Sequence, residues 1–457
     1  MSTFQDLANE IVIEIIRSCN PASLRGIHIA QDTLCNLRLV SRHLDTLVCP
    51  ILFATLRLEF WDSDGYFRDK DRLRCHNILV ALTTRSTTVF EHTRKLVMRT
   101  EKLFWTHDSR SSSIAQMKRF LNERISDIIS ALKNLQSIEY FYSPVYDPPE
   151  FPVNLIHTLA TLPSFKNMTL HFIENQSWNI HIPQSFTLQP LSNLAVFQTC
   201  WGQSKSKTFP LDIASLLARC PNMIKLELDH LNGKNEHDIT LHHIFRDLDK
   251  MEMDWTLETL VLKGVVVRFE DIGKHIRHFN NLSFLEILFN DHPLASTTLG
   301  HICRLLQENA IFLKGVVTDH PEDPLLLHYL SSYSGLTQLH FHMSEDDRNS
   351  DMILNQVYTL ILPNHINTIE YLKMGSDKES RGWEDHPIMP KREHLVQLLK
   401  CRNLKVVEVN SKIWLDELRR RCEDEDEEGG GLDGYMDSLN MKSSFEMMLN
   451  RIRRLGI

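Results

Sequence analysis

A six-residue pattern of apolar positions recurs along most of this chain. It reads apolar, two variable residues, apolar, one variable residue, apolar, and its clearest copies begin at Leu257 and Leu336. A degenerate copy covers Ala310 to Val316. Successive copies lie about 30 residues apart on average, and self-similarity at such a period is the sequence signature of a solenoid. The other copies begin at Leu135, Phe165, Leu194, Met223, Leu282, Ile369 and Leu404.

Each repeat predicts one strand and one helix. Alternation with a period of two directs the first, fourth and sixth positions toward a core and the residues between them toward the other side. Helical patterns lie beside most copies, such as Leu299 to Leu306 after Leu282 and His394 to Lys400 before Leu404. One repeat alone leaves its apolar face uncovered, so neighbouring repeats stack. The prediction is therefore an α/β fold, an irregular solenoid shaped as a horseshoe, with parallel strands on the concave face and helices outside.

A doubly wound α/β enzyme is the competing fold, because it also alternates strands and helices. The predicted strands here alternate polar and apolar residues, whereas strands buried on both faces read as continuous apolar runs. Neither GxGxxG nor GxxxxGKS/T follows any predicted strand, and such loops are how these folds hold phosphates. We therefore predict a non-catalytic protein without a cofactor. A hydrolase or transferase whose site the sequence does not disclose stays open.

Composition narrows the class of protein and of partner. The chain has 457 residues, 42% hydrophobic and 24% charged, which predicts a globular protein larger than one compact core. A net charge of −9 without a strongly basic segment argues against a nucleic acid partner. The N-terminus lacks a signal-peptide pattern, and no apolar run approaches the roughly 20 residues of a membrane span. Nine cysteines without a C-x-x-C pair predict reduced thiols in the cytoplasm or nucleus.

Two groups of histidines suggest a metal-site hypothesis. His340 and His342 share one face of a predicted strand, and His242 and His243 lie near His237. Neither group has a third and a fourth ligand at a recognisable spacing, so we predict no metal site.

Residues 4–53 differ in kind from the repeats. Apolar positions at helical spacing predict one helix after Asp6, and Pro50 starts a closing turn. Between them a second helix is predicted from the apolar positions Leu34, Leu37, Val40, Leu44 and Leu47. Three short helices cannot bury so many aliphatic side chains among themselves. The surplus predicts an exposed apolar face of the kind that binds partners.

The other boundaries follow from changes in composition. Residues 54–133 are predicted to form a linker and a helical and strand cap, with an amphipathic helix from Ile114 to Leu132. The solenoid covers residues 134–415 in about ten repeats. Residues 416–457 are predicted to form an acidic loop around Glu423 to Glu428 and a C-terminal capping helix.

Several of these segments resemble parts of the F-box family. Leu7 to Ile16 resembles its opening L-P-x-E-I/L helix, Leu37 to Leu44 its second conserved helix, and Cys49 to Phe53 the P-x-L-F/Y ending frequent in fungal members. Leu217 to Met223 and Leu399 to Leu404 resemble the cysteine-containing leucine-rich repeats common in F-box proteins. The resemblance implies a substrate-recognition subunit of a Skp–cullin–F-box ubiquitin ligase, which docks a Skp-type adaptor and through it a cullin scaffold.

The resemblance also implies which residues contact the adaptor. Ala8 stands where the family usually has proline, and Leu44 stands where tryptophan is common. A protein-interaction scaffold with a degenerate F-box, acting outside any ligase, is the alternative function. The implied adaptor contacts are Leu7, Ala8, Glu10, Ile11, Val40, Arg42 and Leu44.

The side chains between the apolar motif positions are predicted to line the concave face. They are polar, apolar and of both charges, a mixture that suits a protein ligand of unknown identity. The candidate substrate contacts are Phe141, Lys225, Glu227, Asp229, Lys263, Glu286, His340, His342, Tyr371 and Lys373.

Overall fold

The structure is a computed structural model that falls into two compact units, divided between Met223 and Ile224. Strands and helices alternate along the chain in each unit. The residues that the structure describes are 13–14, 33–59, 69–99, 112–143, 147–173, 186–202, 208–230, 240–248, 254–289, 295–343, 350–375, 394, 397–398 and 400–409.

Twelve strands in the described ranges form a parallel sheet whose strand order is the chain order. Parallel neighbours need a crossover connection, and the rest of each repeat provides it. In the first unit, strands β1 to β5 are Thr55–Glu59, Lys95–Arg99, Ser137–Tyr142, Asn167–Phe172 and Val196–Trp201. In the second unit, strands β6 to β12 are Lys225–His230, Thr259–Lys263, Phe284–Leu288, Gly315–Thr318, Gln338–Phe341, Tyr371–Met374 and Val406–Val409.

The apolar motif sets the register of the strands. A strand begins two residues after each of the nine motif starts outside the degenerate copy. The fourth motif positions are partners between neighbouring strands: Ile138 pairs with Met168, and Leu260 pairs with Leu285. These four side chains are buried, and a slip of one residue would turn them to the other side of the sheet. The predicted α/β fold with parallel strands is therefore confirmed.

The degenerate motif copy is displaced from its predicted place. The prediction of Ala310 to Val316 is wrong by three residues, because the strand is Gly315–Thr318. Its three inward positions are Leu313, Val316 and Thr318, all of which are buried. A search for apolar residues misplaces this copy because its last inward position is a threonine, Thr318.

The sheet also begins earlier in the chain than the motif copies predicted. Strands β1 and β2 precede Leu135, within the segment assigned to a linker and cap. The pattern misses β2 because Thr93, a buried polar residue, stands three residues before the buried Leu96. The sequence at β1 fits the motif, with Phe53, Leu56 and Leu58 at its apolar positions. It escapes recognition because Phe53 is assigned to the end of the N-terminal segment.

Helices lie between most of the described strands. Ile276–Phe279 is a 3₁₀-helix, and Val357–Ile361 is π-helical. None of the described helices combines the length and the apolar character needed to cross a bilayer. The α-helices α1 to α12 are Arg42–Leu52, Asp69–Thr83, Val89–His92, Ser112–Ala131, Glu150–Ala160, Thr208–Ala218, Leu241–Phe245, Phe269–Lys274, Ala295–Glu308, Pro324–Ser331, Ser350–Gln356 and Leu362–His365.

The predicted amphipathic helix Ile114 to Leu132 is confirmed as α4, which packs against α2 and α5. Its apolar positions recur at three- and four-residue steps, as expected for a helix with one buried side. Leu121 and Ile125 are fully buried, whereas Arg119 and Glu123 form an ion pair on the exposed side.

The core of each unit contains clusters of aromatic side chains. In the first unit, the ring of Phe209 on α6 lies 4.9 Å from that of Phe172 on β4 and 5.7 Å from that of Trp201 on β5. In the second unit, Phe245 on α7 packs 5.8 Å from Trp255. Burying each such side chain contributes about 1.5–3 kcal/mol. Helices and strands are thus held together mainly by the residues that the alternating pattern directs inward.

The described N-terminal residues form a helical turn at 33–37 followed by α1. The side chain of Ser41 caps α1 by accepting a hydrogen bond from the Leu44 backbone N at 3.1 Å. Leu34, Leu44 and Val48 form a buried cluster between the two helical segments. Of the predicted three-helix F-box, most of the first half lies outside the described residues.

The predicted closing turn at Pro50 is wrong. Helix α1 continues to Leu52 with Pro50 inside it. Proline removes one backbone donor and usually interrupts a helix. Because Pro50 lies in the last turn of α1, its effect is confined to the end of the helix, and β1 starts three residues after the helix ends.

Candidate functional site

Each unit presents one side of its strands that is only partly covered, which we call the solvent face. It consists of the side chains that alternate with the buried motif positions along each strand. In β3, for example, Glu139 and Phe141 are partly exposed, whereas Ile138 and Tyr140 are buried. All ten candidate substrate contacts lie on β3, β6, β7, β8, β10 and β11 or directly after β10.

Three flat side chains form a row across the solvent face of the first unit. Arg99 on β2, Phe141 on β3 and His171 on β4 are partners in the parallel register. The guanidinium carbon of Arg99 lies 3.8 Å from the centre of the Phe141 ring. The imidazole of His171 stacks on that ring at 4.5 Å between ring centres. Such cation–π and stacking contacts hold all three groups in place.

Glu139 lies beside this row and is surrounded by cationic groups. Its carboxylate forms an ion pair of 2.8 Å with the Lys95 ammonium, and the His171 Nε2 atom lies 3.9 Å away. Partial burial raises the pKa of Glu139, but the hydrogen bond from Lys95 and the nearby charges of Lys95, His171 and Arg99 outweigh it. The pKa therefore lies below its usual value, which indicates a positive local potential.

Five of the candidate substrate contacts form a network on β6, β7 and β8 of the second unit. Lys225 and Glu227 form an ion pair at 3.0 Å, and Lys263 and Glu286 form another at 3.0 Å. Asp229 is the register partner of Lys263. Partial burial lowers the pKa of the Lys263 ammonium, but Glu286, Glu227 and Asp229 together raise it above its usual value. Opposite charges thus neutralise one another across these strands.

The other four candidates in the second unit lie on β10 and β11 or, in the case of His342, directly after β10. The rings of His340 and His342 lie 3.9 Å apart between centres. His340 is the register partner of Lys373, and Tyr371 is the partner of Gln338. The structure therefore brings these candidates onto two adjacent strands, as the sequence pattern predicts.

The candidate adaptor contacts divide into three groups. Leu7, Ala8, Glu10 and Ile11 lie outside the described residues. Val40 and Arg42 are exposed, with 71% of Val40 accessible to solvent. Leu44 is only 7% exposed, because it packs into the cluster formed with Leu34 and Val48. Its side chain therefore supports α1 from within and does not lie on the surface of this structure.

Sequence reasoning missed Leu39, which is 79% exposed next to Val40. Leu39 falls off the three- and four-residue spacing of the predicted second helix, whereas Val40 lies on that spacing. Val40 is nevertheless exposed, because the predicted single helix is wrong: a turn at residues 38–40 separates two helical segments. An apolar residue outside the buried stripe of a helical segment is a candidate surface contact. Arg99 was missed for a different reason, since β2 lacks a recognisable motif.

Two kinds of chemical site can be compared with the described residues, a metal-ligand cluster and an activated cysteine. Among them, no group of three or more His, Cys, Asp and Glu side chains converges as a set of metal ligands. Burial raises the pKa of the Cys220 and Cys401 thiols to about 11. An activated cysteine nucleophile has a lowered pKa instead. Within the described chain, the features that offer contact to another molecule are the solvent faces and the exposed pair Leu39 and Val40.

Comparisons with known proteins add little to this geometry. No protein-family model matches the chain, and no curated protein matches it. Among solved structures, the chain is similar to the crystal structure of the Rad7 and Elc1 complex in yeast, with a TM-score of 0.35 and 10% sequence identity. The similarity covers 80% of this chain and 98% of that chain. A similarity at this level carries no argument about what the chain binds.

Proposed function

We propose that this chain is a non-catalytic recognition subunit of a Skp–cullin–F-box ubiquitin ligase. The N-terminal segment docks a Skp-type adaptor, and the solvent face of the strands holds a protein substrate. The observation that carries the proposal is the exposure of Leu39 and Val40, at 79% and 71%. Among the other exposed large apolar side chains in the described ranges, the highest value is 52%, at Leu360.

The residue before the exposed pair, Arg38, contacts α1 and the residue that follows it. The Arg38 guanidinium forms an ion pair of 3.2 Å with Asp45 on α1 and lies 5.2 Å from the centre of the Phe53 ring. These contacts fix the turn that carries Leu39 and Val40 against α1. Covering an exposed leucine or valine contributes about 1.5–3 kcal/mol each. A turn that is already in contact with α1 loses less conformational freedom on binding than a disordered segment does.

The resemblance of Leu37 to Leu44 to the F-box family favours a Skp-type adaptor as the partner. The mechanism is proximity: the adaptor and cullin bring a ubiquitin-charged enzyme to the substrate held on the solvent face. Fixing two reactants near each other replaces a bimolecular encounter by an effectively unimolecular one. The chain then needs no catalytic residue of its own.

Adaptor pull-down with the full-length chain tests the proposal. The variant carries Leu39→Asp and Val40→Asp, and the matched control carries Met352→Asp and Leu360→Asp, two exposed apolar residues of the second unit. We expect the wild type and the control to bind a purified Skp-type adaptor and the Leu39/Val40 variant to lose binding. All three chains should give the same circular dichroism spectrum, because the substituted residues are exposed.

Two results would contradict the proposal. Equal binding by the wild type and the Leu39/Val40 variant would remove these residues from the interface. Absence of binding by folded wild-type chain would favour the scaffold that acts outside any ligase.

A further inference from the structure

Arg38 lies in the turn between the first described helical segment and α1, directly before the exposed pair Leu39 and Val40. Two backbone amides of the turn donate to the segment before it. Leu39 N donates to the Asn36 carbonyl at 3.1 Å, and Val40 N donates to the Leu37 carbonyl at 3.1 Å. These bonds define the shape of the turn, whereas its placement on α1 also depends on contacts between side chains.

One carboxylate oxygen of Asp45, in the first turn of α1, is shared by two side chains. The Arg38 Nε atom lies 3.2 Å from Oδ1, and the Cys49 thiol donates a hydrogen bond to the same oxygen at 3.1 Å. Arg38 Nε is buried but not aligned for a hydrogen bond, so the attraction is mainly between the two charges. Burial and the neighbouring Asp45 raise the pKa of the Cys49 thiol to about 11. The thiol therefore stays protonated and restrains the carboxylate that Arg38 contacts.

The same guanidinium also reaches the end of α1. Its central carbon lies 5.2 Å from the centre of the Phe53 ring, and Phe53 directly follows the helix. Arg38 thus contacts the first turn of α1 through Asp45 and the end of α1 through Phe53. A cation–π contact requires the cation over the face of the ring, whereas apolar contacts, such as those of the buried cluster around Leu44, are non-directional. Arg38 therefore restrains the turn in a way that the apolar cluster does not.

We propose that Arg38 and Asp45 are positioning residues for adaptor docking, which hold the turn in the placement where Leu39 and Val40 face the adaptor together. The inference deepens the proposed function and rests on it for the identity of the partner. Neither residue needs to touch the adaptor, because both act through the exposed pair. A partner binds only the fraction of chains in which its contacts are correctly placed, so the apparent affinity falls in proportion when that fraction falls.

Amide hydrogen exchange of the full-length chain tests positioning without the adaptor. A single helical turn that has lost its contacts opens readily, and the amides of Leu39 and Val40 then exchange. Losing one partly exposed ion pair and one cation–π contact should speed this exchange about fivefold in Arg38→Gln, read by mass spectrometry of the peptide that contains the turn. Arg38→Lys should give an intermediate rate, since it keeps the charge but not the planar group. The matched control is Arg119→Gln, which breaks the exposed ion pair with Glu123 on α4 and should leave the exchange unchanged.

Affinity for a purified Skp-type adaptor, measured by isothermal titration calorimetry, separates positioning from direct contact. Arg38→Gln and Asp45→Asn break the same ion pair, so each should weaken binding by up to about fivefold. We expect the double variant to bind no more weakly than the weaker of the two single variants. A residue that touched the adaptor would instead keep its effect after its partner within the chain was lost. Asp127→Asn, which breaks the exposed pair with Arg124 on α4, is the control for Asp45→Asn and should bind as the wild type does.

Three results would overturn this inference. They are unchanged exchange in Arg38→Gln, equal acceleration by Arg38→Gln and Arg119→Gln, and additive losses of adaptor affinity when Arg38→Gln and Asp45→Asn are combined. If the folded wild-type chain fails to bind the adaptor, the proposed function fails, while the exchange measurement still decides whether Arg38 and Asp45 hold the turn. Failure of adaptor docking and failure of the positioning role are thus distinguishable.

Discussion

His365 accepts a hydrogen bond from the backbone N of Leu336 through its Nδ1 atom, at 3.1 Å. Its other ring nitrogen, Nε2, lies 2.8 Å from the backbone O of Leu330 and must donate to it. The side chain is fully buried. These two partners require the neutral imidazole with its proton on Nε2. Leu336 opens one motif copy and His365 precedes the next, so the imidazole joins two neighbouring repeats.

Other repeats satisfy the same backbone amide with different side chains. Leu313 opens the copy before Leu336, and its N donates to the Tyr329 hydroxyl at 3.0 Å. In the first unit, the N of Leu194 donates to the Cys220 sulfur at 3.3 Å. A buried amide without an acceptor is costly. In each of these repeats, the first motif residue therefore donates its backbone N–H to a side chain that precedes the next motif copy.

Replacing His365 with leucine should destabilise the second unit. His365→Leu leaves the Leu336 amide without an acceptor and the Leu330 carbonyl without a donor. An unpaired buried polar group costs about 1–3 kcal/mol. We expect the free energy of unfolding to fall by at least this amount, measured by urea denaturation followed by circular dichroism.

His328→Leu is the matched control, because His328 is exposed on α10. A substitution away from structural contacts usually changes stability by less than about 0.5 kcal/mol. Equal effects of the two substitutions would show that the hydrogen bonds of His365 contribute nothing specific.

The contribution of His365 should also depend on pH. Burial lowers the pKa of His365 below its usual value of 6.5, although the hydrogen bond to Leu330 opposes the shift. In acid, the unfolded chain binds a proton at this position before the folded chain does, so stability is lost as pH falls below about 6.5. Urea denaturation across this range should show the stability difference between wild type and His365→Leu narrowing with falling pH. A constant difference would contradict the prediction.

Much of the strand pattern could be predicted because it depends on burial, which apolar residues report directly. The failures occur where a polar residue is buried at a motif position, as at Thr93 before β2 and Thr318 at the end of β9. Such residues satisfy their polar atoms locally: the Thr93 hydroxyl donates to the Val89 carbonyl at 2.8 Å. A pattern of residue types cannot show that a hydrogen bond of this kind makes burial acceptable.

The sequence predicts on which face of the sheet each candidate residue lies. It predicts only some of the residues that each candidate contacts. Alternation along a strand places Phe141 and Lys263 on the solvent face without any knowledge of their neighbours. Their partners come from other strands, so Arg99 beside Phe141 depends on recognising β2 and on the register between strands. Leu44 is buried in the N-terminal cluster, and the adaptor contact that the family resemblance implies for it stays a prediction.

Cys220 offers a test of whether the bridging hydrogen bonds or simple packing matter more. Cys220→Ala removes the acceptor of the Leu194 amide, whereas Cys220→Ser keeps an acceptor at nearly the same place. We expect alanine to lower the free energy of unfolding by about 1–3 kcal/mol and serine to lower it less. Urea denaturation measures both, with alanine at the exposed Cys35 as the control. Equal losses for alanine and serine would assign the role of Cys220 to packing of the sulfur alone.

Thiol labelling should separate the cysteines by burial. Burial raises the pKa of Cys220 and Cys401 to about 11 and that of Cys303 further, so the reactive thiolate is scarce at neutral pH. Cys35 is exposed and accessible to reagent. In native protein treated with iodoacetamide and mapped by mass spectrometry, Cys35 should be modified well before these three, which should react at similar rates only after denaturation in urea. Rapid modification of Cys303 in the native chain would contradict the burial of its side chain on α9, and with it the repeat packing on which the solvent face depends.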